Sequence, residues 1–239
     1  MTEPINPIIF VDAKNNALYT RLAEKYQITL ERILIPHPSG KTNLWGCRIN
    51  DTEVGLFYYN DITTNGFFTH EMFHLEMNDR GFTDTKDLME LVNATAKKAM
   101  IFTGTIGHIN NIFAHEKFYN EFIELGYTPN EFVNDYSEPT NIEQAIALIN
   151  KSFLSTELRN ESIEIYITMF FTAKDNRNPL KTNDYNIFLE FLNEKDPTLF
   201  DILNSHWNFW LESDTLNNHE ILYSMIEQVE GWHKTRIIN

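Results

Sequence analysis

The chain has 239 residues, enough for one large domain or two small ones with a sizeable buried core. A hydrophobic content of 42%, with 13% aromatic residues, is that of a globular protein rather than a disordered one. A net charge of -15 excludes general nucleic-acid binding and adhesion to anionic membranes, both of which need a basic face. The single cysteine, Cys47, cannot form a disulfide within the chain and rules out a Cys-based zinc site. Met1 to Phe10 lacks the basic and apolar regions of a signal peptide, and no stretch approaches the ~18 apolar residues of a membrane span. The expectation is a soluble, cytoplasmic protein.

Taken in order, Ala13 to Gln27 is expected to be a helix, with Leu18, Leu22 and Ala23 on one face. Leu30 to Ile35 is strand-like and is stopped by the turn cluster Pro36 to Gly40. Trp45 to Ile49 and Val54 to Tyr59, separated by Asn50-Asp51-Thr52-Glu53, suggest an antiparallel hairpin. Thr63, Thr64 and Asn65 offer caps for a helix running to about Asp79 and ending at Arg80-Gly81. Strand signals then become scarce. Asp84 to Phe102 carries an apolar stripe at Leu88, Leu91, Val92 and Thr95, and Gly104 and Gly107 suggest a short break. Ile109 to Leu125 is a further helix, closed by Gly126-Tyr127-Thr128-Pro129. Pro139 to Ile149 and Leu158 to Ala173 follow, although the β-branched residues of Ile163 to Phe171 leave a strand as the alternative there. Asp175 to Pro179 is a loop. Tyr185 to Asn193, Pro197 to Leu211 and His219 to His233 complete the helices. The fold class expected is α+β, mostly helical, with a small N-terminal antiparallel sheet. One domain over residues 1–239 is the simplest organisation, with a helical subdomain over 139–239 as the variant.

The run Phe67 to Met77 contains His-Glu-x-x-His: His70, Glu71 and His74. Two histidines four residues apart on a helix project from one face, one turn apart. Their imidazoles can hold one metal ion, and Glu71 can reach a water on that metal. Catalytic zinc needs a third protein ligand. His115 ranks first, because Ile112, Tyr119 and Phe122 at helical spacing turn it inward; Glu116 ranks second and Glu90 third. A lone inward histidine is as readily a satisfied core residue. Tyr119, His108 and Tyr223 are candidate oxyanion partners, and Glu76 or Asp79 could orient an imidazole, although each serves equally well as a structural or solvated residue. Trp207, Phe209, Trp210 and Trp232 fit core packing better than a ligand box. His206, His219 and His233 suggest no second metal.

Strand Val54 to Tyr59, a short connection, the His70-Glu71-x-x-His74 helix and a later ligand-bearing helix together resemble the zincin metallopeptidases over roughly Trp45 to Leu125. The resemblance implies a motif helix packed beside a small sheet whose edge strand holds an extended peptide. It also implies His70 and His74 as zinc ligands and Glu71 as general base. The metzincin continuation is absent, since Met77 and Arg80 occupy its glycine and third histidine positions. The function expected is a zinc-dependent hydrolase, most readily a peptidase acting on a peptide or protein. A catalytically silent regulatory protein on the same fold is the rival, and an all-helical interaction domain with a coincidental motif is the weakest reading.

Overall fold

The computed structural model describes residues 2–35, 45–59, 64–82, 105–132, 142–153 and 160–237. Their elements are β1 (Thr2–Ile5), a 3-10 turn (Pro7–Phe10), α1 (Asn16–Ala23), β2 (Gln27–Ile33), β3 (Trp45–Asn50), β4 (Glu53–Tyr58) and α2 (Asn65–Asp79). Then come α3 (Thr105–Glu124), α4 (Pro129–Phe132), α5 (Ile142–Phe153), α6 (Asn160–Lys174), α7 (Thr182–Lys195), α8 (Pro197–Glu212) and α9 (His219–Ile237). The chain is mostly helical with one small sheet near its start. The helix expected over Asp84 to Phe102 lies outside the described residues. Gly107 sits inside α3, so it does not mark a break. Ile163 to Phe171 is helical in α6, and its β-branched residues are overruled by burial on several faces.

The chain divides into two compact units, Met1–Arg80 with Phe118–Glu138, and Gly81–Lys117 with Pro139–Asn239. In the first unit the sheet order is β1-β2-β4-β3. The hairpin is present as expected: β3 and β4 pair antiparallel, Cys47 opposite Leu56, across the two-residue turn Asp51-Thr52. Asp51 takes φ 52°, a left-handed conformation that Asp tolerates better than most side chains. The sheet as a whole is mixed rather than antiparallel, because β2 runs parallel to β4 while β1 pairs antiparallel with β2. A hairpin's turn chemistry dictates only its own pair, so the orientation of β2 was not encoded there.

Helix α2 packs against β3, α1 and α4, and ten of its fifteen residues are buried. Phe10, Trp45, Tyr58 and Phe68 form the layer between helix and sheet, with Trp45 stacked on Tyr58 at 4.7 Å and Phe10 edge-on to Trp45 at 5.5 Å. Such a helix is enclosed on nearly every side, which is why it carries no polar stripe.

The second unit is helical. Trp210 stacks on Phe113 at 5.0 Å and donates its indole N–H to the Phe113 carbonyl at 3.0 Å. Asp196 caps α8 by accepting from Leu199 N at 2.9 Å, with Pro197 at the first helical position. Trp207, Trp210 and Trp232 are core residues as expected, whereas Phe209 is 61% exposed. Among the described residues no helix is long and apolar enough to cross a membrane.

Candidate metal centre

Helix α2 starts where Thr64 accepts a hydrogen bond from Phe67 N at 3.3 Å, and ends where Gly81 adopts φ 91°. Its register puts His70 and His74 on one face, with their Nε2 atoms 3.0 Å apart. Two nitrogens bound to one tetrahedral zinc at ~2.0–2.1 Å stand ~3.3 Å apart, so the pair already has close to the bite such an ion needs. Both rings sit in an aromatic shell. His70 is edge-on to Phe132 at 4.7 Å and to Phe118 at 5.4 Å, and His74 is edge-on to Phe118 at 5.0 Å. Phe118 is itself stacked on Phe73 at 5.3 Å. These apolar contacts restrict both imidazoles to a narrow range of orientations and leave the ring nitrogens as the groups that could ligate a cation.

His115 lies on α3, one turn before Phe118, and is buried. One ring nitrogen from each of His70, His74 and His115 lies within 4.8 Å of the other two. Three neutral nitrogen donors of this kind fit a divalent transition metal, zinc above all, and leave the ion's full charge available to acidify water. His115 Nδ1 is 2.8 Å from Asp175 Oδ2, and its Nε2 is 3.1 Å from Asn111 Nδ2.

Glu71, between the two α2 histidines in sequence, is 6% exposed, and burial pushes its carboxyl up to about 8. A buried carboxyl raised this far, next in sequence to a candidate metal ligand, can exchange protons near neutral pH.

The other candidates are placed as follows. Glu116 ion-pairs with Arg177, and burial outweighs that partner to raise its carboxyl above the usual range. Its carboxylate is thus engaged elsewhere, and Glu90 lies outside the described residues. Glu76 pairs with Arg21, and Asp79 with Lys25 at 2.7 Å, so both serve the helix surface rather than an imidazole. Tyr119 packs edge-on to Phe132 at 4.8 Å, His108 Nε2 is 3.0 Å from Thr172 Oγ1, and Tyr223 lies on α9. His206 is tied to the Ile202 carbonyl at 2.7 Å and to Ser224 at 3.2 Å.

Sequence reading missed two groups that support the histidines. Asp175 appeared only as a loop residue. The second is the polar set beneath the start of α2. There Asn15, fully buried, donates its amide to the Phe10 carbonyl and to Thr69 Oγ1, both at 2.9 Å. Thr69 in turn donates to the Asn65 carbonyl at 2.6 Å, and Asn65 donates its amide to Asp12 Oδ2 at 2.8 Å. Tyr127 donates to Asp12 Oδ1 at 3.3 Å, and burial pushes its hydroxyl up to about 12. Desolvation works to raise Asp12, but the bonds from Asn65, Lys14 N and Asn15 N outweigh it and hold the carboxyl below its usual range. Only the buried polar residues within α2's approach, Asn15 and Thr69, could have signalled this set in the sequence.

No family model, curated protein or solved structure matches this chain.

Proposed function

We propose that the protein is a zinc-dependent hydrolase, and within that class a metallopeptidase with a zincin-like arrangement of helix and sheet. The observation that carries this reading is the cluster of three histidine nitrogens within 4.8 Å, two of them on a helix that also carries a buried glutamate. His70, His74 and His115 would hold the ion, which when bound supplies a Lewis acid for the scissile carbonyl, acidifies a water and draws the neighbouring carboxyl toward its ionised form. Glu71 then takes the proton from the attacking water and returns it to the leaving nitrogen. Phe118, Phe132 and Phe73 keep bulk water away from the imidazoles and hold them in place.

The test is metal analysis of the purified protein, followed by turnover of a broad peptide library by wild type and Glu71→Gln. The expected results are one zinc per chain in both, and a loss of hydrolysis of about 10²–10⁴-fold in the variant. Absence of stoichiometric metal overturns the metal reading. Metal without turnover in the wild type overturns the peptidase reading and leaves a silent regulatory protein.

A further inference from the structure

Two groups beside His115 select one tautomer of its ring. A carboxylate oxygen can only accept, so at 2.8 Å from Asp175 Oδ2 the proton belongs to Nδ1. An amide nitrogen can only donate, so at 3.1 Å from Asn111 Nδ2 the Nε2 atom must offer its lone pair. The pair is well enclosed: the His115 and Asp175 side chains are 6% and 11% exposed. Arg177 lies 3.4 Å from the other Asp175 oxygen and also pairs with Glu116, tying the carboxylate to the first turn past α6.

From this geometry we infer that Asp175 is a positioning residue: it locks His115 as the Nδ1–H tautomer, with Nε2 turned out as a metal donor, and Arg177 holds Asp175 in that place. The inference rests on the zinc-site reading above and adds to it the group that selects the donor atom. Free imidazole in water favours neither orientation strongly, and a buried ring could turn its nitrogens either way. An accepting carboxylate behind Nδ1 removes that freedom and makes Nε2 the more basic donor. Asn111 serves as the stand-in partner of Nε2 when no cation is present, and gives it up on binding. Glu116, one residue from His115, acts through Arg177 rather than as a ligand.

The experiment has two readouts on the whole chain. Long-range nitrogen–proton NMR of the metal-free protein reports the tautomer of His115. Zinc competition with a chromophoric chelator reports affinity. In the wild type His115 is the Nδ1–H form, and Asp175→Ala releases it to a mixture while weakening zinc binding 10–100-fold. Asp175→Glu, which keeps the carboxylate, restores most of both, and this variant also serves if the alanine protein fails to fold. A merely structural role for Asp175 would leave the tautomer unchanged. An Nε2–H form in the wild type, or zinc affinity within twofold in both Asp175→Ala and Asp175→Glu, overturns the inference. No zinc binding by the wild type overturns instead the metal reading on which it rests.

Discussion

Burial raises the Glu71 carboxyl, and stability depends on pH as a result. Its carboxyl titrates at about 8 when folded, against an ordinary value of 4.5. Between those values the folded chain retains a proton that the unfolded chain has lost. The unfolded state therefore binds fewer protons, and stability falls as pH rises through that window. Metal-free protein should lose roughly 3–5 kcal/mol more between about pH 5 and pH 8 than the Glu71→Gln variant does, measured by urea unfolding. Equal pH profiles would show that Glu71 is ionised in the folded state. The motif residues were legible because helix geometry alone places His70 and His74 on one face. Asp175 was not, because it stands sixty residues from His115 and no local pattern links them.

At the scale of elements, α2 is fixed at its start by polar contacts and along its length by close packing. Gly66 is the point of closest approach to α4: a Cβ there would stand 2.6 Å from Glu131 Cβ. Alanine is ordinarily better in a helix by about 1 kcal/mol. Here Gly66→Ala should nevertheless lower stability by about 1–3 kcal/mol, because Glu131 Cβ is part of a helix and cannot swing away. A rise in melting temperature would mean that α4 can shift at little cost. The buried amide of Asn15 offers a second check. Asn15→Ala strands the Phe10 carbonyl and removes the support of Thr69, so a loss of about 1–3 kcal/mol is expected in denaturant unfolding. The hairpin and most described helices were legible from turn residues and apolar spacing. The strand Thr2–Ile5 was missed, since a four-residue edge strand containing a proline has almost no pattern to read.

For the molecule as a whole, a net charge of -15 on 239 residues sets a background of self-repulsion. The described ion pairs on the surface, such as Lys25–Asp79 and Arg80–Glu121, each contribute little. Screening should therefore relieve more repulsion than it removes attraction. Raising sodium chloride from about 20 to about 300 mM at pH 7 is expected to raise the melting temperature by a few degrees. A fall would show that the surface pairs outweigh the net charge.

By itself the sequence determined the features that depend on near neighbours along the chain: the motif helix, its cap and stop, the hairpin, the helical remainder and the charge. It named His115 as the first candidate for a third ligand, because apolar residues at helical spacing gave that side chain a direction. What only the tertiary structure decided depends on residues distant in sequence. It set β2 parallel to β4, gave Glu116 to Arg177, and set Asp175 behind His115. It also buried Glu71, and that burial raises its carboxyl. Periodicity says which way a side chain faces; only the packed chain says what it meets there.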